Sequence, residues 1–207
     1  MKGAFLPDSR FVRFLTKVCD LLLLNVLTVF LSLTVIAAGT AIISLYTAVI
    51  KMMQEEDSEP ISCFLHALRE NFSLSVPAAP LLFADLLLLA LLHYALIAET
   101  LVFSPAAFVF LAIAATFLTA LLSYLFPLLA RFENTFPRHL ANAWRLAAAN
   151  LPVTFLLVTV NLLPLLLAVF LPGLFRLLAV FWLMIGVAAS AYLNSFYLCQ
   201  IFDRLSK

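Results

Sequence analysis

An all-α, polytopic membrane helical bundle is the fold class that this sequence predicts, on three observations. The chain is 65% hydrophobic and only 11% charged over 207 residues, where a soluble domain averages about 25% charged; its mean hydropathy is +1.13. Its twelve basic residues fall almost wholly into four short segments. Between them run stretches with no charge at all: 30 residues over 21–50, 31 over 100–130, 30 over 146–175 and 26 over 177–202. About 20 apolar residues cross a bilayer's hydrocarbon core, so each stretch can cross at least once. No polar stretch is long enough for a separate soluble domain, and 1–207 reads as a single integral membrane domain.

The first apolar stretch decides the topology. Basic residues in short loops stay cytoplasmic. A single crossing by 21–50 gives five crossings in all and splits the basic residues five against seven. Two crossings give about six membrane segments and put eleven of the twelve on one side, leaving only Arg176 opposite. A short helical hairpin over 18–53 is therefore expected, with both its ends and both chain termini cytoplasmic. Its first helix, 18–36, spans about 28 Å, and its second, 41–53, only about 20 Å. The second is short for a crossing, so a re-entrant hairpin shielded by protein is the alternative. Ala37-Ala38-Gly39-Thr40 supplies small residues for the reversal, and Gly39 is its candidate hinge.

The remaining spans are expected over 76–97, 105–130, 151–171 and 177–199. Pro77, Pro80 and Pro152 fall in first turns, where no helical N–H is lost. Pro172-Gly173 marks the outer turn, and Pro164 should kink the fourth long span one turn after Asn161. The basic N-terminus ahead of an apolar run imitates a signal peptide. The run is longer than a 7–15-residue signal core and is edged by Asp20 and Asn25, so retention is expected. Cys19, Cys63 and Cys199 show no metal or redox spacing and read as small fillers.

A short basic-amphipathic stretch precedes each hairpin, at 10–17, 61–71 and 138–150. In the second, Phe64, Leu65 and Leu68 oppose His66, Arg69 and Glu70; in the third, Leu140 and Trp144 oppose His139, Asn142 and Arg145. Both end in an asparagine suited to a helix end, Asn71 or Asn150. Three units of interfacial elbow helix plus transmembrane pair are expected. Phe64, Arg69, Asn71, Arg138, Trp144, Arg145 and Asn150 are the candidate contacts for a partner, against the plainer role of membrane-surface anchor. Tyr46, Tyr94 and Trp144 are placed near membrane interfaces, as amphipathic rings prefer.

The segment from Leu31 through Ala41, followed by Leu45-Tyr46, resembles the first-hairpin signature of YesL-like membrane proteins. Phe64–Phe72 with its Arg-Glu-Asn-Phe ending resembles their first cytoplasmic elbow. Phe126-Pro127-Leu128-Leu129-Ala130-Arg131-Phe132, then Asn142-Ala143, resembles their second. The family commonly has proline where Thr34 stands and threonine where Ala37 stands. It has no established activity, and its members are often encoded beside carbohydrate uptake systems in Gram-positive bacteria. The resemblance implies a bacterial cell-membrane protein with an accessory role near a transporter.

Asp85 is the one charge within 71–98 and lies near the middle of its span, where an ionised side chain costs several kcal/mol. His93 is eight residues on, roughly on the same face, and Asn161 sits at the middle of its own span. Asn25, Ser123, Tyr124 and Asn194 add polar groups elsewhere. A proton or cation relay would use Asp85 as carrier and His93 as outer exchange point; the structural alternative is interhelical hydrogen bonding by Asp85 and Asn161, each bond worth about 0.6–2 kcal/mol. Asp20 and Glu99 fall at span ends. Glu55-Glu56-Asp57 with Glu59 lacks the glycine and ligand periodicity of a calcium loop. No metalloprotease, hydrolase or phosphate-loop motif is present, and basic residues are too few for nucleic-acid work. No catalytic residue, metal or cofactor is expected. The expected partners are the lipid bilayer and a transporter permease or sensor protein, with a homo-oligomer left open. The leading expectation is a non-enzymatic accessory or regulatory component; the rival is a small oligomeric transporter or channel with Asp85 and Asn161 in its path.

Overall fold

The computed structural model describes residues 10–54, 59–97 and 104–205. All regular structure among them is helical: α1 (Arg10–Ser32), α2 (Val35–Gln54), α3 (Pro60–Glu70), α4 (Phe72–Ser75), α5 (Ala79–Ile97), α6 (Pro105–Arg131), α7 (Phe136–Ala149), α8 (Leu151–Phe170), α9 (Pro172–Phe181) and α10 (Val187–Leu205). A π-helical turn, Trp182–Gly186, joins α9 to α10 without a break. Among the described residues five helical stretches are long and apolar enough to cross a membrane: Phe11–Ser32, Ala79–Ile97, Pro105–Arg131, Leu151–Phe170 and Pro172–Arg204. The molecule is a multi-pass membrane bundle, and its outer surface agrees with that. Phe30, Phe110, Phe155 and Phe170 are each at least 70% exposed, which suits lipid as the surrounding solvent.

The sixth segment, α2, is the axis. From Ala38 to Met52 every side chain is buried except Ile42, Thr47 and Lys51. Ala38, Gly39, Thr40, Ala41, Ser44 and Ala48 keep this helix thin, so α1, α3, α6 and α10 approach it closely. The same small and polar residues suit a helix sheltered by protein rather than by lipid.

The expected hairpin is present, but its reversal is four residues earlier than expected. The chain turns at Leu33-Thr34, and Thr34 Oγ1 donates to the Leu31 carbonyl at 2.8 Å while the Thr34 carbonyl accepts from the N–H groups of Ala37 and Ala38. A local threonine cap thus does the work assigned to small residues. Gly39 is not a hinge. It lies inside α2, where a Cβ would sit 3.2 Å from the Ser75 carbonyl oxygen, so glycine there permits close helix approach. Two further expectations are corrected. The stretch 10–17 is no separate elbow; it is the first part of α1, because nothing in Arg10–Ser32 breaks the helix. The last span begins at Pro172 rather than 177, since proline suits a first helical turn. The acidic run 55–57 and Glu99 lie outside the described residues.

The second and third units repeat one device. Asn71 closes α3 with both its backbone N–H and its Nδ2 on the Ala67 carbonyl; Asn150 closes α7 on the Leu146 carbonyl in the same way. Four residues later, Ser75 and Thr154 each bond back to that asparagine's carbonyl. Their hydroxyls then pair with a hydroxyl on the preceding long helix, Ser75 with Thr40 of α2 and Thr154 with Tyr124 of α6. Both elbows therefore climb back along the helix before them. In α7, Trp144 packs on Phe117 with ring centroids 5.0 Å apart, about four turns, or roughly 20 Å, up α6 from Arg131. The elbow α7 is inclined into the bundle instead of lying flat at the headgroup boundary.

Candidate functional site

Polar side chains from five helices meet in one layer through the bundle. Asp85 on α5 is 6% exposed and accepts a 2.9 Å hydrogen bond from Thr119 Oγ1 on α6. One turn on, Ser123 Oγ donates to the Thr119 carbonyl at 2.6 Å and accepts from Asn161 Nδ2 on α8 at 2.8 Å. Asn194 Nδ2 on α10 then donates to Asn161 Oδ1 and to the Tyr46 hydroxyl on α2, each at 3.1 Å. Asn194 is wholly buried, and its Oδ1 has no partner. A cavity of about 240 Å³ lies against this layer, lined on its polar side by Asp85, Thr119, Ser123, Asn161 and Tyr46 and on its apolar side by Trp182 and Pro164 among others.

Each helix reaches the layer for a local reason. Threonine and serine sit inside α6 because their hydroxyls bond to helix carbonyls or to a neighbour and leave no polar group stranded. Pro127 and Pro164 interrupt the backbone ladders of α6 and α8 within the membrane. Neighbouring helices and hydroxyl side chains make such prolines tolerable there. Asn161 lies one turn before Pro164, as expected. The side chains are linked from helix to helix, α5 to α6 to α8 to α10 to α2, with a single step of one turn along α6 from Thr119 to Ser123. The layer therefore runs across the bundle, not along it.

A second lock sits at the π-helical turn. Asn25 on α1, wholly buried, donates through Nδ2 to the Leu183 carbonyl at 2.7 Å and accepts from the Ala188 N–H at 2.9 Å. A π turn shifts the helix ladder by one residue, and this single amide bonds backbone groups on either side of the shift.

At the end of the bundle that carries Gln54 and Arg131, an open cleft of about 740 Å³ lies between α2, α3 and the end of α6. Lys51 and Arg131 face Glu59, Glu70 and Glu133 across it. Arg131 pairs with Asp203 at 2.5 Å and packs 5.6 Å from the rings of Phe132 and Phe202, while its Nη1 is buried without a partner.

Of the sequence-derived candidates, Asp85 and Asn161 come to the same cavity, linked through α6. His93 does not line it: two turns further along α5, its Nδ1 is buried without a partner. Among the elbow residues, Phe64 is fully buried and anchors α3, Asn71 and Asn150 cap their helices, and Arg69, Arg138, Trp144 and Arg145 are exposed. Tyr46 is not an interfacial anchor. At 6% exposure it is a member of the polar layer, because α2 is enclosed by other helices. Thr119 is not among the sequence candidates, and Tyr46 is expected only at an interface, since a lone hydroxyl in an apolar run gives no signal of its partner. A four-residue step from Thr119 to Ser123, one turn on the same face, was the available clue.

No curated protein and no solved structure matches this chain. Residues 21–94, from the first hairpin through most of α5, match a family model described as "Protein of unknown function, DUF624".

Proposed function

We propose that the protein is a non-enzymatic accessory or regulatory subunit of the bacterial cell membrane, with both termini cytoplasmic, working beside a transport or sensing complex. The observation that carries this is the transverse, hydrogen-bonded polar layer. Its groups bond helix to helix across the bundle, which braces a bundle but offers no ladder of sites from one face to the other. The exposed charged groups lie instead in the cleft at one end, between α2, α3 and α6, and on the elbows through Arg69, Arg138 and Arg145. Membership of the YesL-like family fits this role and is supported by the match over 21–94. Carbohydrate uptake is the transport process that the resemblance favours.

The second reading is a small oligomeric transporter or channel, favoured by one observation: the cavity beside Asp85 and Asn161. Asp85→Leu separates the two. As an accessory subunit the variant keeps its fold and its association with partner proteins. As a proton-coupled carrier it folds normally but loses flux in reconstituted vesicles, and that result would refute the accessory role.

A further inference from the structure

A third cavity, of about 450 Å³, lies where α6, α7 and α10 meet, away from the polar layer. Its volume is that of a small-molecule site. Its lining divides by chemistry: Leu146 and Phe202 are apolar, Arg145 and Glu133 carry opposite charges, and Asn142 offers an amide. His139 closes the wall. It is 1% exposed, and neither ring nitrogen makes a hydrogen bond of ordinary geometry, although the Asn134 backbone lies close enough to favour the protonated ring. Leaving a buried polar group short of partners costs free energy, so this wall suits a ligand that brings a polar group to the ring. Burial lowers the His139 pKa, opposed in part by the Asn134 backbone, which leaves a neutral ring with one donor and one acceptor.

Position and charge narrow the ligand. The cavity adjoins Phe132 and Phe202, beside the Arg131–Asp203 pair where α6 and α10 leave their apolar stretches. That is the zone of lipid headgroups. One cation and one anion on the rim match a zwitterion, whereas an anionic headgroup would leave Glu133 facing like charge. A quaternary ammonium needs free aromatic faces. Arg131 already stands over one face of both Phe132 and Phe202, and the two rings pack edge to face on each other. A primary ammonium, by contrast, donates hydrogen bonds to a carboxylate and to an imidazole lone pair.

The geometry points to a binding site for one phospholipid with a phosphoethanolamine headgroup, its phosphate on Arg145, its ammonium on Glu133, and His139 between them. Leu146 and Phe202 carry the start of its acyl chains.

The test uses the full chain, delipidated in detergent, with thermal unfolding followed during addition of phosphatidylethanolamine, phosphatidylcholine or phosphatidylglycerol. Phosphatidylethanolamine should raise the midpoint at concentrations at least tenfold below those needed of the other two. Arg145→Gln and Glu133→Gln, both at exposed positions, should keep the lipid-free midpoint and weaken that response at least tenfold. Equal responses to all three lipids, or an unchanged response in both variants, overturns the assignment. Soluble glycerophosphoethanolamine acting as strongly as the lipid would overturn it too, in favour of a free phosphate ester.

Discussion

Replacing Asn25 by leucine isolates what the π-helical turn contributes. The change removes two hydrogen bonds, from Nδ2 to the Leu183 carbonyl at 2.7 Å and from the Ala188 N–H to Oδ1 at 2.9 Å. At the average of about 0.6 kcal/mol for an intramembrane side-chain bond, the pair is worth about 1.2 kcal/mol. The average understates this case. Both lost partners are backbone groups in a region without water, and a stranded buried group costs about 1–3 kcal/mol. A loss of about 2–4 kcal/mol follows. Relaxation of the π turn to a regular α-helix does not remove the cost, because one residue of register rotates everything after Gly186 by about 100°. That rotation pulls Asn194 away from Tyr46 and Asn161. Unfolding in mixed micelles of rising SDS fraction, followed by tryptophan fluorescence, measures the change; Trp182 begins the turn itself. An Asn25→Leu variant within about 0.5 kcal/mol of the parent would refute the lock.

Four more outcomes follow from the same geometry. Gly186→Ala places a Cβ 2.6–2.8 Å from the Trp182 ring. It should cost about 1–3 kcal/mol by overpacking, with a shifted Trp emission. Asp85→Leu should be neutral or stabilising, since it removes a buried carboxylate and Thr119 can bond its own helix carbonyl, whereas Asn194→Leu strips two bonds from the layer and should cost about 1–3 kcal/mol. SDS unfolding of both variants checks the contrast, and equal losses would contradict it. In a cysteine-free background, Thr16→Cys and Ser62→Cys should react with an impermeant thiol reagent from the same side of the membrane; labelling from opposite sides would refute the α1–α2 hairpin. Finally, burial lowers the His139 pKa from 6.5, so the unfolded chain binds the extra proton. Stability should be full above about pH 6.5 and fall as the pH drops through it, and His139→Gln should flatten that slope.

The bundle was legible in the sequence because bilayer thickness makes span length a strict constraint. Apolar stretches located α5, with Asp85 its one charge, and charge-free stretches located α6, α8 and the end of the last span to within a few residues. The positive-inside count found the α1–α2 hairpin, though not its turn. Gly39 drew attention as the nearest glycine, yet Thr34 made the reversal by bonding to Leu31, and threonine in a run of Val, Ile and Leu carries no distinguishing signal. Asp85 and Asn161 stood out because charge and amide are costly in lipid. Their partners did not: Thr119 and Tyr46 are ordinary in composition, and only packing shows that α2 is sheathed enough to bury a tyrosine. His93 shared a face with Asp85 by periodicity, but helix spacing cannot say where the cavity ends. Asn71 and Asn150 were legible as caps, whereas the Ser75 and Thr154 hydroxyl pairs that complete the repeat depend on contacts between helices.

The accessory role is tested most directly by what travels with the protein. Crosslinking in intact cells, purification in lipid particles and mass spectrometry should recover a permease, ATPase or sensor kinase at fixed stoichiometry, with crosslinks on the α3 and α7 elbows. Recovery of the chain alone, as a homo-oligomer without a second membrane protein, would contradict the account.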